Sequence, residues 1–160
     1  MKKYILLLLF FLPAHLYSLE LSCRFEEVYK DGLTQQGFFL MKKGKFRYEY
    51  LDENLFTIII KDNKYYLIPN NQKDSFRTLN ENTELIDELL SVLSDFQNIN
   101  EVYERGEYTY LIEKSSNEFI KRIAIKSKEI NMSINFLNCK FKDIHDKYFM
   151  HFPLRPYVPQ

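Results

Sequence analysis

The sequence predicts a mainly β protein of the α+β class, built as a meandering antiparallel sheet with one helix in the middle of the chain. Glycine and proline are rare, at 4 and 5 of 160 residues, whereas Tyr and Phe number 12 and 14. Short segments alternate apolar and polar residues, and this predicts strands because side chains two positions apart on a strand share a face. One central segment instead repeats at helical spacing.

The first residues predict a secretory signal peptide over residues 1–18. A basic start precedes an unbroken apolar run over residues 4–12, and the small residue Ser18 offers a cleavage site. The run is too short to span a membrane. We therefore expect a single exported domain, residues 19–160, whose 20 basic and 22 acidic side chains disfavour nucleic acid as a partner.

Export to an oxidising compartment makes the two cysteines candidates for a disulfide. Cys23 and Cys139 each lie in a strand-like stretch, and each shares a face with an aromatic residue two positions on, Phe25 and Phe141. The alternative is two buried free thiols too far apart to bridge, and the sequence leaves both open. Lipidation of Cys23 is disfavoured, because Glu20 stands where a lipidation signal needs an apolar residue.

Alternation and turn residues predict where the elements lie. Leu21, Cys23 and Phe25 mark a first strand. Further strands are predicted over residues 36–42, 45–51, 56–60, 65–68, 107–113, 118–126 and 129–137, with a short last strand in "KYFMHFP". The polar, Asn-rich segment 69–82 is predicted to be a loop. Leucine and isoleucine at helical spacing predict a helix over residues 83–94, capped by Asn82 or Thr83.

The hairpin "QQGFFLMKKGKFRYEY", residues 35–50, predicts an apolar site on the concave side of the sheet. Phe46, Tyr48 and Tyr50 share one face of its second strand. Arg47 and Glu49 lie on the other face and are expected to face solvent. A single helix covers little of a large sheet, which leaves part of the concave surface for an apolar ligand. Residues predicted to line this cavity are Phe25, Phe46, Tyr48, Tyr50, Phe56, Ile58, Ile60, Leu89, Leu93, Met132 and Ile134. For each of them, an ordinary core position is the alternative.

No catalytic or metal-binding motif stands out, so we expect a protein without enzymatic activity, cofactor or metal. The sequence lacks a Gly-x-Ser-x-Gly motif, a phosphate-binding glycine loop and a His-Glu-x-x-His motif. His145 and His151, with nearby aspartates, are interpreted as solvated turn residues. Glu26 and Glu27 are adjacent on a strand and point to opposite faces, so they do not form a catalytic pair.

Several segments, in order along the chain, resemble LolA-type periplasmic carriers of outer-membrane lipoproteins. The hairpin "FFLMKKGKFRYEY" resembles the family's signature hairpin, and "FTIIIKDNKYYLIPN" resembles the hairpin that follows it. The stretch "LIDELLSVLSDFQNINEVYERGEYTYLIEK" is similar to the family's subsequent helix, connector and strand, and "KYFMHFP" to its closing strand. Together the resemblance covers most of residues 19–160.

The resemblance implies a half-open antiparallel β-barrel wrapped around a helical plug. It implies a chaperone that shields the acyl chains of lipoproteins and moves them from the inner to the outer membrane. Its implied partners are lipidated lipoproteins, an inner-membrane lipoprotein-releasing ABC transporter, and an acceptor that is either a LolB-like protein or the outer membrane itself. The carrier is expected to act as a monomer.

The chain also departs from the family pattern. Lys43 stands where the family has a cavity-closing arginine, so Lys43 is the candidate latch, although lysine cannot form a bidentate fork. Gly44 replaces the family's Pro-Gly turn, and the family's N-terminal helix is missing or shortened. These departures leave two alternatives: a periplasmic binder of a small lipid or isoprenoid on the same fold, or an interaction module that pairs a sheet edge with a partner strand.

We predict that the mature protein begins at or near Leu19 and carries no lipid on Cys23. The basic start and apolar run direct export, and Glu20 disfavours lipidation. Intact-mass measurement of the periplasmic form checks both parts. A mass increment equal to a diacylglyceryl group, or retention of residues 1–18, would contradict the prediction.

Overall fold

The computed structural model describes residues 20–151 except Lys73, Asn82 and residues 116–118. Its strands are β1 (Glu20–Tyr29), β2 (Thr34–Lys42), β3 (Lys45–Tyr50), β4 (Phe56–Lys61), β5 (Lys64–Pro69), β6 (Arg77–Leu79), β7 (Val102–Arg105), β8 (Tyr108–Lys114), β9 (Ile120–Lys126) and β10 (Asn131–Phe141). The helix α1 (Glu84–Ser94) lies between β6 and β7 in the chain, and a 3₁₀ turn (Asp146–Phe149) follows β10. These elements form one mostly β architecture.

All ten strands belong to one antiparallel sheet in the order β6-β5-β4-β3-β2-β1-β10-β9-β8-β7. Two meanders, β1 to β6 and β7 to β10, are therefore joined where β1 pairs with β10. Among the described strands the sheet stays open, with β6 and β7 at its edges. The predicted fold class, a half-open antiparallel barrel with a helix on its concave side, is confirmed. Within the described residues, no helix has the length and hydropathy needed to cross a membrane.

The helix α1 forms where the apolar residues recur at helical spacing. Val92 and Leu93 are fully buried in the main core, and Leu85 and Leu89 pack against that core. Glu84 and Asp87 lie in the first turn, where negative charge is favourable. Thr83 is the N-cap residue, but its side chain makes no capping bond and its hydroxyl is bonded to Asp87. The predicted helix position is therefore right, Thr83 makes no side-chain capping bond, and the alternative cap Asn82 lies outside the described residues.

Three short segments differ from the sequence prediction. The predicted loop 69–82 contains β6, which pairs with β5, and the predicted connector before residue 107 contains β7. Both strands have three or four residues, which is too short for an alternation pattern to be recognised. The predicted last strand is instead the 3₁₀ turn, because the ring nitrogen of His145 accepts a bond from the Lys147 N–H and closes the turn locally. Residues 152–160, at the end of the predicted closing motif, lie outside the described residues.

The prediction that Arg47 and Glu49 face solvent is wrong. They point to the convex side, as alternation requires, but residues 142–151 fold back over that side. Ile144 and Phe149 pack there against Phe38 and Leu40. As a result Arg47 is 0% and Glu49 is 7% exposed. Period-two alternation assigns a side chain to a face, but it does not show what covers that face.

The buried Arg47 side chain is bonded on both sides. Its Nε and Nη2 atoms lie 2.9 Å and 2.7 Å from Glu49 Oε2. Its Nη1 donates to the Tyr148 carbonyl oxygen at 2.8 Å. The guanidinium thus connects β3 to the segment that covers the convex face.

A disulfide joins Cys23 to Cys139 across the central β1–β10 pair. The pairing register shifts there, so that Asn138 and Cys139 stand opposite Cys23 as a bulge, and Asn138 adopts a left-handed φ of 52°. The two cysteines are 116 positions apart. In the chain-entropy model, a cross-link over so long a loop stabilises the fold by about 4–5 kcal/mol.

We predict that Arg47→Met strongly destabilises the protein, because it leaves the Glu49 carboxylate buried without its cation. The expected loss in unfolding free energy is about 3–5 kcal/mol, measured by denaturant titration. The double variant Arg47→Met/Glu49→Leu should recover much of this loss. Arg24→Met, which removes an exposed arginine from β1, is the matched control. Equal effects of Arg24→Met and Arg47→Met would contradict the prediction.

Candidate functional site

A cavity of about 200 Å³ lies between α1 and the concave face of the sheet. The helix contributes four aliphatic side chains to its wall: Leu85, Ile86, Leu89 and Leu90. The sheet contributes Glu27, Tyr29, Phe39, Phe46, Tyr48, Tyr50, Ile58, Ile60, Ile125, Met132 and Ile134. Among the described lining residues, Glu27 carries the one carboxyl group in an otherwise aliphatic and aromatic wall.

The structure brings eight of the eleven predicted lining residues to this wall: Phe46, Tyr48, Tyr50, Ile58, Ile60, Leu89, Met132 and Ile134. Three lie elsewhere. Leu93 is 0% exposed, one helical turn further along, where it belongs to the packed core. Phe56, at the first position of β4, contacts the edge of the Tyr50 ring from outside the wall. Phe25 lies behind Tyr48 and forms its support.

Phe25 supports the aromatic wall because a glycine leaves room for its ring. The rings of Phe25 and Tyr48 stack with centroids 3.9 Å apart, and Phe25 meets the edge of Tyr50 at 5.5 Å. Gly37 pairs with Phe25 on the neighbouring strand. A Cβ atom at Gly37 would overlap the Phe25 ring and the Glu49 carbonyl oxygen. The absence of a side chain there lets the three rings pack as one layer.

A buried carboxylate bonded by three tyrosines lies at one side of the cavity. Glu27 is 3% exposed. Its Oε1 accepts from the hydroxyls of Tyr48 at 2.8 Å and Tyr50 at 2.9 Å. Its Oε2 accepts from Tyr29 at 2.6 Å and lies 3.0 Å from the Tyr50 hydroxyl. This Glu27–tyrosine cluster joins β1 to β3 at the cavity wall.

The cluster keeps its phenols protonated. Burial, with the charge of Glu27 next in importance, raises the pKa of Tyr48 and of Tyr50 well above the usual value. Burial and the hydrogen bond to Glu27 likewise raise the pKa of Tyr29. The three hydroxyls therefore act as donors to the carboxylate throughout the neutral range.

The sequence analysis assigned Glu26 and Glu27 to opposite faces but gave neither a role. Glu26 accepts a bond from the Gln36 side chain on the outer side. Glu27 shares the inner face with Phe25 and Tyr29, and this alternation is the one sequence signal that could have identified it. The remaining residues that were missed, such as Leu85 and Ile125, are apolar and look like ordinary core residues in the sequence.

Polar side chains tie α1 to both flanks of the open sheet. Asp87 accepts a hydrogen bond from the Tyr65 hydroxyl on β5. On the other flank, Glu88 accepts from the Tyr103 hydroxyl of β7 at 2.9 Å and pairs with Arg105 at 2.7 Å. These contacts hold the helix across the cavity.

Lys43 is not one of the residues that hold the helix. It lies in the exposed turn between β2 and β3, with a left-handed φ of 47° next to Gly44, and does not line the cavity. Within the described part of the chain, the contacts that cross from the sheet to α1 come instead from Tyr65, Tyr103 and Arg105. The candidate latch Lys43 thus lies in a turn apart from the cavity wall, and its role stays a prediction.

No protein-family model and no curated protein matches this chain. Among solved structures, it is similar to the crystal structure of a LolA superfamily protein from Nitrosomonas europaea, with 10% sequence identity and a TM-score of 0.39. The match covers 83% of this chain and 90% of the other. The likeness is one of distant overall architecture, and the strand order and cavity described above define the fold and the site of this protein independently of it.

We predict that stability falls as the pH rises above about 10, because the unfolded tyrosines ionise there while the clustered ones stay protonated. The folded pKa of each clustered tyrosine is raised, so the unfolded state binds fewer protons above that pH and becomes favoured. Each such tyrosine contributes a slope of about 1.4 kcal/mol per pH unit. Denaturant titrations at several alkaline pH values measure this slope.

Tyr48→Phe should make that decline shallower, since it removes one clustered phenol. Tyr66→Phe, on the convex side of the sheet, is the matched control. If both variants decline with the same slope, the cluster does not account for the alkaline instability.

Proposed function

We propose that the protein is a periplasmic carrier that shields the acyl chains of lipoproteins between the inner and the outer membrane. The observation that carries this proposal is the apolar cavity between α1 and the aromatic face of the sheet. Aliphatic side chains from the helix and aromatic side chains from β3 face each other across it. Such a wall suits a hydrocarbon chain, and we propose binding without chemistry.

The size of the cavity supports transient binding. A volume of about 200 Å³ is below the range of roughly 300–1,000 Å³ usual for ligand sites. Burying one methylene contributes about 0.8 kcal/mol, so a fully buried long chain would gain roughly 10 kcal/mol and be released slowly. Here an entering chain has to displace Leu89 and its neighbours from the wall. It exchanges one set of apolar contacts for another, which lowers the net affinity enough for transfer.

The helix α1 is the element that would move to make room for the acyl chain. Its cavity side is aliphatic, whereas its attachments to the sheet flanks are hydrogen bonds and one ion pair with the largely exposed Arg105. The Tyr65–Asp87 bond is exposed, and an exposed polar contact of this type contributes about 0–1 kcal/mol, whereas Glu88 on the other flank is buried. The movement would involve the cavity end of α1, where Leu89 and Leu90 are half-buried, while Val92 and Leu93 stay in the core.

The proposal also includes a periplasmic location and partners at the inner and the outer membrane. The predicted signal peptide supports a periplasmic location for the carrier, and the Cys23–Cys139 disulfide suits an oxidising compartment. A carrier of this kind would receive lipoproteins from an inner-membrane ABC transporter. It would deliver them to a LolB-like protein or to the outer membrane itself, acting as a monomer.

A second candidate is a periplasmic binder of a small lipid or isoprenoid. The observation that favours it is the cavity volume, which suits a short chain without movement of the helix. The two candidates differ in whether α1 must move and in whether the ligand is attached to a polypeptide.

We predict that Leu89→Glu lowers the affinity for a fluorescent diacylated lipopeptide by at least about tenfold, because it places a carboxylate in the hydrocarbon path. Ser91→Glu, on the exposed side of the same helix, is the matched control and should leave binding unchanged. Fluorescence anisotropy below the micelle concentration of the lipopeptide measures both.

The same titration with farnesol separates the candidates. Binding of the lipopeptide supports the carrier, and binding of farnesol alone supports the small-lipid binder. Failure of both ligands to bind, or equal binding by the Leu89→Glu and Ser91→Glu variants, would overturn the assignment of the cavity as the site.

A further inference from the structure

We propose that the cavity recognises the polar end of its ligand at Glu27, and that this end is a protonated amine attached to the apolar chain. The proposal rests on the proposed function only in that a hydrocarbon chain occupies the cavity. It goes further by assigning the charge of the group beside that chain.

The first observation concerns the charge balance around Glu27. None of the ion pairs formed by the described residues involves Glu27, and its partners there are tyrosine hydroxyls. Hydrogen bonds from phenols satisfy its oxygen atoms, but among the described residues no cation lies within ion-pair distance of this carboxylate. A buried charge normally has a partner of opposite sign, and here the cavity is the open side from which such a partner can come.

The second observation is that the Glu27 carboxylate can accept one more hydrogen bond. The Tyr50 hydroxyl lies 2.9 Å and 3.0 Å from the two oxygens of Glu27. A hydroxyl has one hydrogen, so Tyr50 donates to one oxygen at a time and leaves an acceptor position on the other. An ammonium group has several donors and can take this position while it also donates to the phenol oxygens.

The third observation is that aromatic rings surround Glu27 at the cavity wall. Tyr48 and Tyr50 lie on the cavity wall with their rings 5.5 Å apart, and Tyr29 lies beside them. A cation is attracted to the face of such rings, and a carboxylate among aromatic rings is the usual composition of an ammonium site. A ligand carboxylate or phosphate would meet the like charge of Glu27 instead.

The fourth observation concerns the position of Glu27 relative to the rest of the cavity. Tyr29 is the last residue of β1 and is half-buried, and the turn that follows it is exposed. Glu27 therefore lies towards the solvent side of the cavity, whereas Phe46, Ile60 and the α1 leucines line its apolar part. An amphiphile would place its amine at Glu27 and its chain beneath the helix. Among lipoproteins, a diacylated N-terminal cysteine with a free α-amine has this chemistry, and an N-acylated one does not.

The test compares three twelve-carbon ligands that differ only in the head group: dodecylamine, dodecanol and dodecanoate. Affinities come from displacement of N-phenyl-1-naphthylamine at neutral pH, where the alkylamine is protonated. We expect dodecylamine to bind about tenfold or more tightly than dodecanol, and dodecanoate to bind most weakly. A diacylated lipopeptide should likewise bind more tightly with a free N-terminal amine than after N-acetylation.

Glu27→Gln should remove the preference for the amine while dodecanol still binds. Glu26→Gln, which neutralises the neighbouring carboxylate on the outer side, is the matched control and should keep the preference. If Glu27→Gln fails to fold, Tyr29→Phe serves instead. It removes one donor but retains the charge, so the preference for the amine must persist.

Equal binding of all three ligands by the wild-type protein, or an unchanged preference in Glu27→Gln, would overturn this inference and leave the carrier proposal intact. A loss of preference in Tyr29→Phe would also overturn it. Failure of every ligand, including the lipopeptides, to bind would instead overturn the carrier proposal.

Discussion

The pairing of β1 with β10 is the interaction on which the other parts of this structure depend. Each half of the sheet is a meander of neighbouring strands that could form locally, but only this pairing places the two halves side by side. It brings Phe25, Glu27 and Tyr29 opposite Phe136, Ile134 and Met132, which makes one concave face from the two halves. The disulfide across the same pair stabilises a contact between residues that are far apart in the chain.

Once the two halves are joined, the single helix has to cover a face much larger than itself. α1 buries Val92 and Leu93 and leaves its first turns over the cavity, because eleven residues cannot fill the space within a ten-stranded sheet. The incomplete filling is therefore a consequence of element lengths. The Glu27–tyrosine cluster lies in the part of the cavity wall that β1 and β3 provide.

On the convex side, the sheet is shielded from solvent without a second layer of helices or strands. Residues 142–151 provide an apolar cover through Ile144 and Phe149, and they bury the Arg47–Glu49 pair in doing so. An ion pair of this kind contributes little net stability by itself but becomes costly when one partner is lost. Through the Tyr148 carbonyl, the pair ties the covering segment to β3.

The sequence by itself determined the local structure, since alternation and helical spacing are properties of neighbouring residues. It placed Phe46, Tyr48 and Tyr50 on one face and located α1 to within a residue of its start. Only the tertiary structure decided that Glu27 meets three tyrosines and that Arg47 is covered. Only the tertiary structure decided which of the predicted residues line the cavity. These outcomes depend on which distant strands pair and which segment folds back, and such long-range contacts leave no periodic signal in the chain.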